Sequence, residues 1–179
     1  MCNNVDMTGG ENSHDCPPGV ERGHAPAAFL LAQVGAHAAA KFAERLAELD
    51  LVPAHAGIFR IVAATPAISQ QALATTLRTV PSRLVALIDD LESRGLIERR
   101  PHETDRRSYA LHLTEKGRAT LQAIGRVGRE HQQALLAALS QAEQQQLAGL
   151  LQRIAQQQGL APGVHPGFAH SGRQAPRNG

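Results

Sequence analysis

Cysteine is scarce in this chain, and the two present, Cys2 and Cys16, both stand in a polar opening stretch. Neither forms a Cys-x-x-Cys pair, which argues against a structural zinc site. Long apolar runs are missing as well. No segment near Met1 has the apolar core of a secretory leader, and none is long enough to span a bilayer. The expectation is a soluble, cytoplasmic protein with no membrane partner, in which a Cys2–Cys16 disulfide would not persist. A phosphate-cradling glycine loop, a metal-spaced His/Glu set and a nucleophile elbow are all absent. The chain is therefore expected to be no enzyme and to carry no cofactor and no metal. Excess charge is lacking too: 18 Lys and Arg face 16 Asp and Glu, for a formal net charge of +2. Bulk attraction to polyanions cannot define such a protein.

What the chain does have is local. Its 179 residues suffice for one core. Arg94, Arg99, Arg100, Arg106, Arg107, Lys116 and Arg118 gather in one short segment, against Glu98, Glu103, Asp105 and Glu115. A basic patch on a near-neutral body suits a site-specific nucleic-acid binder. The same segment, Ile68 to Gly117, holds two short helical patterns and then a hairpin whose loop carries Asp105-Arg106-Arg107. That order predicts a helix-turn-helix followed by a wing.

The fold class expected is mostly α with a small β-wing. Residues 1–25 lack apolar periodicity and are read as a disordered tail, as are residues 159–179. Between them lies one domain, 26–158, with its DNA-binding core at about 53–117. Leu30, Val34, Ala38, Phe42, Leu46 and Leu49 recur at helical spacing and predict a long first helix. Pro53 opens a second helix, although Val52 offers no capping hydroxyl. Ser69 caps a third, Gln70 to Leu77. The fourth runs from Pro81 to Arg94 with Leu84, Leu87, Ile88 and Leu91 inward, and Gly95 ends it. Leu96 to Arg100 and Tyr109-x-Leu111-x-Leu113 predict the wing strands. Thr114 caps a fifth helix running toward Leu139, and Ser140…Glu143 is a capping box for a sixth.

Certain residues in this pattern resemble the winged helix of the MarR family, the multiple-antibiotic-resistance type of bacterial transcription regulator. They are Leu73-Ala74…Leu77, Pro81-Ser82, Leu84…Leu87-Ile88…Leu91-Glu92…Arg94-Gly95-Leu96-Ile97…Arg99-Arg100, Asp105-Arg106-Arg107 and Leu113-Thr114…Gly117. The resemblance implies a sequence-specific regulator of transcription, a repressor that binds double-stranded DNA as a homodimer and is released by a small-molecule effector. It implies that helices from both ends interlock in a two-fold dimer facing a palindromic operator. The first turn of the fourth helix would enter the major groove. There Arg83 can donate two hydrogen bonds to guanine, and Ser82 one to a base edge or phosphate, beside Pro81. Thr79 is read as a phosphate contact. The wing aspartate, Asp105, is expected to steady Arg106 for the minor groove, with Arg107 on the backbone. Asp89 and Asp90 would repel phosphate and are expected to lie away from it or to pair with a neighbouring arginine. Only one of Arg99 and Arg100 can point toward DNA. An effector cleft between the dimer helices and the winged lobe would be faced by His37, His55 and Phe59. Periodicity alone cannot separate cleft from core, and partly buried core or surface positions are the favoured reading of these three.

Two rival readings stay open: a redox-responsive regulator of the same fold, and a winged helix that binds protein instead of DNA. Redox control is disfavoured because Cys2 and Cys16 lie in a tail with no fixed electropositive setting. Among nine histidines, His37, His55, His102, His112 and His131 show no i, i+3 or i, i+4 pairing, which weakens metal sensing.

Overall fold

The computed structural model describes residues 25–101 and 109–160. Six helices and one hairpin follow in the order α1 (Ala27–Ala47), α2 (Pro53–Ala64), α3 (Gln70–Leu77), α4 (Pro81–Ser93), β1 (Ile97–Pro101), β2 (Tyr109–Leu113), α5 (Glu115–Leu135) and α6 (Gln141–Gln157). The fold is mostly helical with a small antiparallel wing, as the patterning implied.

Local chemistry sets most helix starts. Ser69 Oγ accepts from the Ala72 N–H at 3.2 Å, and Thr114 Oγ1 accepts from the Gly117 N–H at 2.9 Å. At α6 the box closes both ways: Ser140 Oγ accepts from the Glu143 N–H, and Glu143 Oε2 accepts from the Ser140 N–H at 2.8 Å. Each cap satisfies a donor that the helix itself cannot pair. Helix α2 has no hydroxyl cap. His55 supplies a substitute, its Nδ1 accepting from the Val52 N–H at 3.4 Å. Helix α5 ends at Leu135, short of the expected Leu139, because a turn over Leu136–Leu139 intervenes. Gln144 Nε2 stitches that turn by donating to the carbonyls of Leu136 and Leu139.

One core holds the winged lobe together. Leu46, Ile58, Phe59, Leu73, Leu77, Leu84, Ile88, Leu91 and Leu111 are all fully buried. They come from α1, α2, α3, α4 and β2, so five elements share one interior. The β1–β2 register pairs Ile97 with Leu113 and Arg99 with Leu111. Strand β2 has a second neighbour, since the Leu111 N–H donates to the Ile68 carbonyl and Ser69 bridges Ala110. Covered on both sides, β2 buries Ala110 together with Leu111 and Leu113. Tyr109, expected inward by alternation, is 57% exposed at the mouth of the wing.

Two joints follow from backbone shape. Gly95 sits at φ 66° after α4, where an L side chain is strained. Ala67, between α2 and α3, is at φ 61° without glycine's freedom. Ala67→Gly should stabilise the chain by about 0.5–1 kcal/mol, the left-handed strain relieved less the added unfolded-state entropy. A lower urea midpoint for that variant would contradict the argument.

The two ends of the domain behave differently from its middle. Helix α6 has no buried residue, and Leu150, Leu151 and Ile154 on it are exposed. On α1, Leu46 is buried while Phe29, Leu30, Leu31 and Val34 are exposed. The apolar stripes read from the sequence therefore do not close an intramolecular bundle among the described residues.

Candidate nucleic-acid interface

The helix-turn-helix is α3 and α4 joined by a tight corner. Arg78, at φ 50°, ends α3, and its N–H returns to the carbonyls of Ala74 and Thr75. The Thr79 N–H donates to Ala74 O at 3.1 Å. Val80 and Pro81 then start α4, proline costing nothing where the N–H has no helical partner. Leu84, Ile88 and Leu91 face the core, which turns the opposite face of α4 outward. Pro81, Ser82, Val85 and Ala86 are exposed and Arg83 is half-buried. Arg83 is not idle, being engaged by a further interaction within the chain.

Thr79 departs from its expected role. Its Oγ1 is buried and has no hydrogen-bond partner among the described residues. The tight corner folds the hydroxyl inward, so it does not present itself to a phosphate. Asp105, Arg106 and Arg107, the wing triplet, lie outside the described residues, as do Cys2 and Cys16.

The basic cluster is also sorted by the fold. Arg99 is held by Asp89 at 2.6 Å and by Glu92, and is mostly covered. Burial opposes its charge, yet the bonds to Asp89 and Glu92 outweigh this and raise its pKa further. Arg100 points outward and pairs only with Glu98 among the described residues. Lys116 Nζ donates to Arg94 O at 2.9 Å, and Arg118 donates to Leu113 O at 2.9 Å. Arg94 donates to Asp50 O at 2.8 Å and to Asp90 at 3.3 Å. Five of the seven cations, Arg94, Arg99, Arg100, Lys116 and Arg118, thus bind the protein's own backbone or carboxylates. Asp89 and Asp90 are paired, as their position on α4 required.

The three expected effector residues separate. Phe59 is fully buried in the core and His55 is 6% exposed, so neither faces an open cleft; this corrects the reading for both. His37 is exposed and lines a recess of about 160 Å³ between α1 and α5, with Lys41, Arg45 and His131. A larger cleft, about 390 Å³, lies between α2, β2 and α5 and went unseen in the sequence. Val62, Pro66, Leu111, His112, Arg118 and Leu121 line it. Among the described residues no three His, Cys, Asp or Glu side chains converge to hold a metal. No helix there is long and apolar enough to cross a membrane.

His55 is the buried polar group of this lobe. Loss of hydration is the main cause that holds its pKa below 6.5; Asp90 acts against this and Arg94 with it. A depressed histidine contributes stability that is full above about pH 6.5 and falls as the pH drops through the folded value. The urea midpoint should therefore decline between pH 7.5 and pH 5.5, and decline less in His55→Gln. His131, also depressed by burial and by Arg45 and His37, leaves a residual slope. An identical slope in His55→Gln would refute the assignment.

Comparison with known proteins agrees with this architecture. A model of the MarR family matches residues 49–108. A transcriptional regulatory protein assigned to the hcr operon of Thauera aromatica is 37% identical over 112 residues, 63% of this chain and 68% of that one. The transcriptional repressor CouR, solved bound to a 23-mer DNA duplex, is 32% identical with a TM-score of 0.65, covering 72% of this chain and 92% of its own. A mutant of MarR from E. coli, solved with operator DNA, is 26% identical with a TM-score of 0.62, covering 73% and 94%. The chain spans 53% to 68% of the length of three curated relatives. The winged lobe, its flanking helices and this likeness in sequence and shape together make the chain a member of the MarR family.

Proposed function

We propose that this chain is a sequence-specific DNA-binding regulator of transcription that binds a near-palindromic operator as a homodimer, and not an enzyme. The observation that carries the reading is the outward first turn of α4, Pro81-Ser82-Arg83, held rigidly over a shared core. Such a turn fits a major groove, and two copies fit two half-sites one helical turn apart. The exposed stripes on α1 and α6 supply the two-fold interface. A cytoplasmic place follows from that role.

The contacts assigned are Ser82 and Arg83 to base edges or phosphate, with Pro81 packed beside them. Asp105, Arg106 and Arg107 are assigned to the minor groove and backbone by their place between β1 and β2. Control is assigned to a small ligand. The cleft between α2, β2 and α5 has the size of a ligand site and joins the winged lobe to a helix that continues beyond it. A ligand there would act by favouring one spacing of the two α4 helices over another.

The experiment is selection from a random duplex pool with the full chain, followed by Arg83→Ala. The expected product is a site with two related half-sites. Arg83→Ala should lose roughly ten- to a hundredfold in discrimination at one base pair per half-site, the worth of a bidentate guanine contact. Arg106→Ala should weaken binding mainly where flanking A/T tracts narrow the minor groove. Unchanged base preference in Arg83→Ala would refute this placement of α4. Retention of no duplex at all would favour a protein-binding winged helix.

A further inference from the structure

Three side chains tie the far end of the recognition helix to the corner between α1 and α2. Arg94, at the end of α4, donates to the backbone carbonyl of Asp50 at 2.8 Å and reaches that of Leu49 at 3.5 Å. Asp50 is itself at φ 55°, so this carbonyl belongs to a bent, left-handed corner. The same guanidinium bonds Asp90 Oδ2 at 3.3 Å. Asp90 Oδ2 lies 3.7 Å from His55 Nε2. The other nitrogen of that ring accepts from the Val52 N–H, so the ring proton sits on Nε2 and faces the carboxylate. Nε2 is buried and has no hydrogen-bond partner among the described residues. The chain of groups therefore runs from the end of α1, through α2, to α4.

None of the three points at the turn of α4 that would meet DNA. Asp90 and Arg94 follow Arg83 by two to three turns of helix. Their effect on recognition must act through orientation. Leu84, Ile88 and Leu91 hold α4 on the core along its length, and this chain of groups adds a polar constraint at its last turn on the angle it makes with α1. Helix α1 carries the exposed apolar stripe that faces a second copy in the reading above. The angle of α4 against α1 thus sets the distance between two recognition helices. The buried Nε2 proton, aimed at a carboxylate just beyond bonding range, rewards a small tilt of α4 toward α2 and resists a tilt away.

We propose that His55, Asp90 and Arg94 are positioning residues that set the angle of the recognition helix against the α1–α2 corner, and through it the half-site spacing the dimer accepts. This rests on the DNA-binding dimer proposed above. The network is a polar link between α4 and the α1–α2 corner, and neither the wing nor the major-groove contacts take part in it.

The test uses the full chain and three shape-conserving variants: Asp90→Asn, His55→Gln and Arg94→Lys. Each is titrated with the duplex selected by the parent, and with duplexes whose central spacer is one base pair longer or shorter. The parent should prefer its own spacer. Each variant should lose at least fivefold of that preference while keeping the parent's slope of log affinity against log salt, since no phosphate contact is removed. Combining Asp90→Asn with His55→Gln should change the preference no more than either alone, because the two act through one link. Circular dichroism checks folding, and the three variants fail independently if one does not fold. Affinity that falls by the same factor on every spacer would mark a purely structural network and overturn the proposal. So would an unchanged spacer preference, or effects that multiply in the double variant. A parent that binds no duplex would instead overturn the underlying reading, and this one with it.

Discussion

A chain carrying Leu150→Asp and Ile154→Asp should sediment as a monomer and lose at least about a hundredfold in affinity for the selected site. Both side chains are exposed in one chain, at 47% and 44%, so neither holds the winged lobe together. The variant should keep the parent's thermal transition for that lobe. In the proposed dimer the same positions would join the equally exposed Leu151 of α6 and Phe29, Leu30, Leu31 and Val34 of α1 in an apolar seam. Burying a Leu or Ile side chain there contributes roughly 1.5–3 kcal/mol, and placing a carboxylate in the seam without a partner reverses it. Losing the second recognition helix removes the effective-concentration gain of two linked sites, on the order of 10²–10⁴. A double variant that stays dimeric at micromolar concentration would place the interface elsewhere.

Gly117→Ala should be the most damaging small substitution in the winged lobe. A Cβ built on Gly117 would lie 2.0 Å from the backbone oxygen of Leu96 and 3.1 Å from its carbon. That oxygen is not free to move. It accepts from the Thr114 N–H at 3.3 Å and from the Thr114 hydroxyl at 3.3 Å, and the same hydroxyl bonds Gly95 O at 2.7 Å. Thr114 Oγ1 also caps α5 through the Gly117 N–H. The Leu-Thr-x-x-Gly pattern is thus a joint: threonine pins the start of α5 to the end of α4, and glycine lets the first turn close on Leu96. Forcing a methyl into it should cost about 3 kcal/mol, the upper end for overpacking. The midpoint of thermal unfolding should fall by roughly 10 °C. A shift under about 2 °C would show that the joint yields.

The sequence by itself determined where most elements begin and which way α4 faces. Ser69, Thr114 and Ser140 are read correctly because a cap needs only a side-chain oxygen and an N–H two or three residues on. Leu84, Ile88 and Leu91 are read correctly because a helix repeats every 3.6 residues, and three leucine-like side chains on one face need a core. Charge alone left Asp89 and Asp90 either turned away from DNA or paired with arginines, and the fold pairs them with Arg99 and Arg94. Tertiary structure decided what depends on a second element. Ala110 breaks the strand alternation because the Ile68–Ser69 segment covers β2 from its other side, while Tyr109 stands exposed at the open end of the wing. Arg94, Arg99, Lys116 and Arg118 are counted in the basic cluster in the sequence, yet the fold brings carboxylates and carbonyls to them from residues 4 to 45 positions away. Thr79 has the right residue type for a phosphate, but the corner it sits in turns its oxygen inward. His55 and Phe59 share a helix face that periodicity could assign to core or cleft. Only the packing of the neighbouring elements over them settled it, because burial is a property of what lies opposite and periodicity records only which residues share a face.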